Sequence, residues 1–175
     1  MGYPKQNYKE SNMKYLNLGC GNNKFNNCIN IDSRKECNPD LVCDIKELPY
    51  EPNSIDGIYA LDVLEHIPRN LVFLTLKSWY KILKLNSFLI LRLPNIKRIS
   101  EKYLQGKIDG DEFSRLIYGG QEKNEFANFH KSGFDKETLT ELLKSIGFKE
   151  IENNIEVKCN SNNMVLKFGK VRILR

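Results

Sequence analysis

The chain is short of the residues that mark several protein classes. Its 175 residues hold only two histidines, His66 and His130, and five cysteines at 20, 28, 37, 43 and 159 with no C-x-x-C pair. A zinc site needs closer ligand spacing than this, so no metal is expected. An odd cysteine count, with Cys28 and Cys43 in strand-like runs, points to reduced, buried thiols in a cytoplasmic protein rather than to a disulfide framework. No apolar run approaches the ~18 residues of a membrane span. Residues 1–11 are polar and carry no signal-peptide core. The chain opens Met-Gly, but Gln6 stands where an acylation signal has Ser or Thr. Low-complexity segments and internal repeats are absent. So is any run of five or six like charges: Lys5, Lys9, Lys14, Lys77, Lys81, Lys84 and Lys97 are dispersed. A net charge of +5 spread this way describes a solvated surface and gives no demand for nucleic acid.

With 41% apolar residues the chain can bury a core, and its length suits a single domain spanning 1–175. Its pattern alternates. Strands are expected at 14–18, 28–31, 40–44 and 55–61. A helix follows over about 68–84, where Leu71, Val72, Leu76, Trp79, Tyr80 and Leu83 recur at helical spacing. Asn86-Ser87 reads as a turn into the most apolar strand, 88–93, which Pro94 ends. Residues 97–134 read as an insertion, helical and amphipathic around 99–104 and 112–118. Asp135 caps a last helix whose stripe is Leu139, Leu142, Leu143 and Ile146, with Gly147 as its stop. Residues 148–152 and 164–174 close as a strand pair. Strands alternating with helices, then a closing pair, predict an α/β fold: a doubly wound, mostly parallel sheet with an antiparallel edge strand.

The most informative stretch is Tyr15-Leu16-Asn17-Leu18-Gly19-Cys20-Gly21, followed by Asn30-Ile31-Asp32. Gly19 and Gly21 permit positive φ and let a ligand approach the main chain. Asp32, at the tip of the next strand, can accept two hydrogen bonds from a ribose diol. The dinucleotide fingerprint wants a third glycine and an acid ~20 residues on. Here the acid comes 11 residues after Gly21, leaving no room for a full helix. A ligand without phosphates fits better.

These pieces resemble the class I S-adenosylmethionine-dependent methyltransferases. So do Asp44-Ile45 before Leu48-Pro49, Ser54-Ile55-Asp56-Gly57-Ile58-Tyr59, Val63-Leu64-Glu65-His66-Ile67, Trp79-Tyr80-Lys81-Ile82-Leu83-Lys84 and Leu93-Pro94, all in family order. Tyr118-Gly119-Gly120-Gln121, Phe129-His130-Lys131-Ser132-Gly133-Phe134 and Ile146-Gly147-Phe148 resemble the second half of small bacterial methyltransferases of the type 11 group. The resemblance implies a seven-stranded, Rossmann-like sheet of order 3-2-1-4-5-7-6. It also implies S-adenosyl-L-methionine as cofactor, with S-adenosyl-L-homocysteine as product. Carried onto this chain, Gly19, Cys20 and Gly21 meet the methionine part. Asp32 with Ser33 takes the ribose, Asp44 and Ile45 the adenine, and Ala60, Leu61 and Asp62 the amino group. The chain departs from the family at Asn17, where an acid is usual, and in lacking the third glycine.

For the chemistry, His130 and His66 are the candidate general bases, His130 being preferred. Each has a bland reading as a loop or structural histidine. Asp44, Asp62 and Glu65 offer charge to a sulfonium, and Tyr15, Tyr59 and Tyr118 offer aromatic faces. Core filling explains Tyr15 and Tyr59 equally well, and helix capping explains Asp62. The Asn/Asp-Pro-Pro-aromatic motif of adenine and glutamine N-methyltransferases is absent, as is a Pro-Cys nucleophile. The insertion 97–134, with Tyr118, Gln121, Asn128 and His130, is the expected acceptor surface. A small polar acceptor, a sugar, glycan or metabolite methylated on O or N, is the first expectation. An RNA or other nucleic-acid methyltransferase and a non-catalytic S-adenosylmethionine-binding protein are the alternatives, and aminopropyl transfer ranks below them.

Overall fold

Short apolar runs bounded by turns set out the strands of the computed structural model, which describes residues 13–121, 128–152 and 154–171. β1 (Tyr15–Leu18), β2 (Ile29–Asp32), β3 (Leu41–Val42), β4 (Ile55–Leu61) and β5 (Leu83–Pro94) run parallel. β7 (Asn163–Lys170) runs antiparallel to β5 and to the short edge strand β6 (Lys149–Glu150). The sheet has seven strands in the order β3-β2-β1-β4-β5-β7-β6. The strand order reverses between β1 and β4, and in open α/β sheets ligands bind at the carboxyl ends beside such a reversal. The expected residues 1–11 and 172–174 lie outside the described residues.

Side chains alternate across the sheet. One face presents Leu16, Leu18, Ile31, Ile58, Ala60, Leu89 and Leu91, all fully buried. Against it pack α1 (Arg69–Ile82) and α4 (Lys136–Ile146), through Leu76 and Trp79 on one and Leu139 and Leu143 on the other. α4 is fenced as expected: the Asp135 carboxylate accepts the Thr138 N–H, and Gly147 takes the left-handed stop at φ +115°. At the end of α1, the Lys170 ammonium donates to the carbonyls of Tyr80 and Leu83, a cation where the helix leaves acceptors open. The opposite face carries rings. Tyr15 stacks on Phe88, and Tyr59 meets both Phe88 and Phe25 edge-on.

Two expectations are corrected here. The turn at Asn86-Ser87 does not start a strand. β5 already pairs with β4 at Leu83, and the chain bulges between the pairs Ile55–Leu83 and Gly57–Phe88. Asn86 takes up the irregularity at φ +63°. The buried thiols are Cys20 and Cys37, whereas Cys28 and Cys43 are half-buried; all five cysteines are free.

The absence of a helix between β1 and β2 holds, and a network of amides takes its place. Asn17 Nδ2 donates to the Asn23 carbonyl and to Asn30 Oδ1, both at 2.9 Å. Asn30 Oδ1 also accepts the Phe25 N–H, and Asn30 Nδ2 reaches Asp40. Buried polar groups are affordable only when partnered in this way. After β5 the insertion forms α2 (Ile96–Leu104) and α3 (Gly110–Tyr118), capped by Asn95 and Asp109. The excursion returns at a bridge between Asn95 and Phe134. No helix among the described residues is long and apolar enough to cross a membrane.

Candidate cofactor cleft

The carboxyl tips of β1, β2 and β4 open onto a cavity of about 350 Å³. Its walls include Gly19, Asp32, Ser33, Asp44, Ile45, Asp62, His66, Asn128 and Lys131. Small-molecule clefts run from roughly 300 to 1,000 Å³. Gly19 sits at φ +60°, and a Cβ there would lie 2.1 Å from Val63 Cγ2, so no other residue fits without movement.

Asp32 is 4% exposed and faces the cleft with its carboxylate already engaged. Oδ2 accepts the Gly21 N–H at 2.8 Å and Arg34 Nη2 at 3.3 Å. Oδ1 accepts the Arg34 N–H at 2.9 Å and Arg34 Nε at 3.1 Å. A carboxylate has about four lone-pair directions, so a ribose diol can enter only as the Arg34 side chain gives up its two. Burial alone would raise the Asp32 pKa, but the bonds from Arg34 and Gly21 overcome it and hold the group below the usual carboxylate range.

Beyond β3, Asp44 takes the Lys46 N–H and ammonium. The Ile45 carbonyl accepts Trp79 Nε1–H at 2.8 Å, which ties this turn to the fully buried indole of α1. Asp62 stands at φ +56°. Its carboxylate is held by Arg92, and Asn163 Nδ2 donates to it at 3.0 Å. It caps no helix: α1 begins at Arg69, after Pro68.

The other end of the cleft is built from a 3-10 turn, Leu64–His66, and residues 128–134. The Glu65 carbonyl accepts the N–H of Lys131 at 2.7 Å and of Ser132 at 3.0 Å, and Ser132 Oγ donates to the Leu64 carbonyl. His130 N–H donates to the Tyr118 carbonyl, which ties α3 to the same spot. The two imidazoles meet edge to face with centroids 5.1 Å apart. His66 Nδ1 lies 3.1 Å from the Phe129 carbonyl and His130 Nδ1 3.2 Å from that of Ile117. A carbonyl can only accept, so both Nδ1 atoms carry the proton and both Nε2 atoms keep a lone pair. Burial lowers the pKa of both rings and so favours that neutral form. Glu65 is 2% exposed, and burial pushes its carboxyl up to about 8.

Of the residues singled out from the sequence, the cleft thus gathers Gly19, Asp32, Ser33, Asp44, Ile45, Asp62, His66 and Asn128. Cys20, Gly21 and Leu61 do not line it, Gly21 acting through its bond to Asp32. Tyr118 and Gln121 are exposed outside it, and His130 reaches it only through His66. Tyr15 and Tyr59 belong to the ring cluster on the far face. Sequence reasoning missed Arg34, Lys46, Val63, Ile67, Pro68 and Lys131. Arg34 had a signal, standing two residues beyond the expected ribose acid.

Residues 22–91 match the family model described as a methyltransferase domain, of the type 11 group. No curated protein matches the chain at a significant level. Several solved structures are similar in fold. One is a SAM-dependent methyltransferase of Methanosarcina mazei (TM-score 0.64, 17% identity, 94% of this chain and 95% of that one). Another is a SAM-dependent methyltransferase of Archaeoglobus fulgidus (0.61, 16%, 90% and 86%). A third is the 1,6-didemethyltoxoflavin-N1-methyltransferase of Burkholderia thailandensis, solved with its substrate and S-adenosylhomocysteine (0.60, 13%, 91% and 71%). The sheet order and these likenesses show the fold of the class I, S-adenosylmethionine-dependent methyltransferases.

Proposed function

We propose that the protein transfers a methyl group from S-adenosylmethionine to an oxygen or nitrogen of a small polar acceptor, a sugar, glycan or other metabolite. The observation that carries this reading is one cavity with a buried acid for a ribose at one end and His66, Asn128 and Lys131 at the other. The residues present fit the adenosyl group. Asp32 is buried, cleft-facing and bonded by a side chain that can move away, and Gly19 leaves the main chain bare. When bound, the sulfonium supplies an electrophilic methyl.

The chain's own residues do the rest by positioning. Asp32 takes the ribose hydroxyls as Arg34 turns aside, and Ile45 offers an apolar face to the base. Asn128 and Lys131 hold the polar acceptor at the opposite wall. A His Nε2 lone pair accepts the acceptor's proton, with the Phe129 and Ile117 carbonyls keeping each ring in the tautomer that can do so.

The test combines calorimetry with S-adenosylmethionine and S-adenosylhomocysteine release over a panel of sugars, metabolites and RNA. His66→Ala, which removes the imidazole that lines the cleft, should lower turnover by about tenfold or more with cofactor affinity unchanged. Turnover confined to RNA and suppressed steeply by salt would assign a nucleic-acid acceptor instead. Cofactor uptake without turnover on any acceptor would leave a binding protein.

A further inference from the structure

We propose that Glu65, His66 and His130 form a site for one divalent transition-metal ion at the acceptor end of the cleft. One ligand atom from each residue lies within 4.8 Å of the other two. An ion bound at 2.0–2.2 Å from each would need ligand separations of about 3.0–3.4 Å, which small side-chain rotations supply.

Three further observations point the same way. Each imidazole spends its Nδ1–H on a main-chain carbonyl and keeps Nε2 as a lone pair. That is the arrangement metal-bound histidines adopt, because the outer bond fixes ring and tautomer. Glu65 is 2% exposed, and its Oε2 has no hydrogen-bond partner among the described residues. A buried polar oxygen without a hydrogen-bond partner is costly, and a cation shared with two imidazoles, displacing the carboxyl proton, removes that cost. The frame is also rigid: the Lys131 and Ser132 N–H groups and Ser132 Oγ hold the segment bearing His130 onto the turn bearing Glu65 and His66. The carboxylate of Asp62 acts on all three groups, while Arg92 and the exposed Lys131 oppose it.

Two imidazoles and one carboxylate suit zinc, iron, cobalt or manganese, whereas magnesium and calcium prefer oxygen alone. Three protein ligands leave coordination positions open. His66 lines the cleft, so an open position can take water or an acceptor hydroxyl. The existence of the site is independent of the proposed activity; its role, holding an acceptor oxygen beside the methyl donor, rests on that reading. Under it the histidines hold the ion instead of accepting a proton, so a chelator separates the two accounts.

The experiment uses the full chain without an affinity tag, stripped with a chelator and titrated with Co²⁺ and then Zn²⁺. The sequence holds no other histidine to compete. One equivalent should bind, with visible d–d bands and no thiolate charge-transfer band from the five cysteines. Glu65→Gln and His130→Asn should each weaken binding at least about 100-fold. Absence of stoichiometric binding, a thiolate spectrum, or affinity unchanged in the variants would overturn the proposal. Circular dichroism checks that the variants fold, and if one does not, the wild-type spectrum and the other variant decide. S-adenosylmethionine calorimetry on the same samples keeps the two readings apart: cofactor uptake without metal sinks only this one.

Discussion

Asn17 shows how a side chain that departs from a family pattern can have a structural role of its own. Its departure from the family's acid reads at first as weakened cofactor support. In the fold its amide instead donates to two oxygens that hold the loop over β1. A carboxylate could donate to neither. Asn17→Asp should therefore destabilise the protein by about 3 kcal/mol, seen as a lower urea midpoint; an unchanged midpoint would remove Asn17 from that role. Asp32 was legible because a strand tip and a glycine turn fix its place locally. Its guard, Arg34, was passed over although it stands only two residues on, since a salt bridge across a turn leaves no periodic trace. Arg34→Ala frees two of the four positions on the Asp32 carboxylate and should raise cofactor affinity several-fold. Asp32→Ala should lower that affinity by on the order of 2–3 kcal/mol. Calorimetry on both variants checks the pair, and tighter binding in neither would mean that Arg34 does not compete.

At the level of elements, alternation and capping residues located β4, α1 and α4 nearly to the residue. Those signals are carried by neighbours in the chain. The β5 bulge escaped because it depends on register with β4, a partner far away in sequence. The approach of His66 to His130 escaped for the same reason: nothing in either segment announces that the Glu65 carbonyl will accept from Lys131 and Ser132. The bond from Trp79 to Ile45 is another such link, coupling α1 to the Asp44-Ile45 turn. Trp79→Phe keeps most of the apolar volume and removes the donor. The expected result is a loss of about 1–3 kcal/mol in stability together with weaker cofactor binding, read from denaturant unfolding and calorimetry. Loss of stability with cofactor affinity intact would show that the turn holds its shape without the indole.

For the whole molecule, the strand order was legible through the resemblance and fixes where the cleft must lie. The charge balance carries a second consequence. Burial works against ionisation of Asp32 and Asp56, but Arg34 and Gly21 in one case, and Lys84 and Lys14 in the other, hold both below the ordinary value of 3.8. Groups depressed in the folded state contribute stability that is full above the unfolded value and lost as pH falls through the folded one. Thermal midpoints measured from about pH 6 down to pH 2 should fall mainly below pH 4, and Asp56→Asn should remove part of that acid slope. A midpoint indifferent to acid would contradict the assignment.

The bridge from Asn95 to Phe134 closes the excursion that began at the end of β5. What leaves and re-enters at one rung can change length at little cost to the sheet, because the closure cost grows only with the logarithm of loop length. The segment between those two anchor points is therefore the natural unit to exchange as a cassette while the sheet is kept.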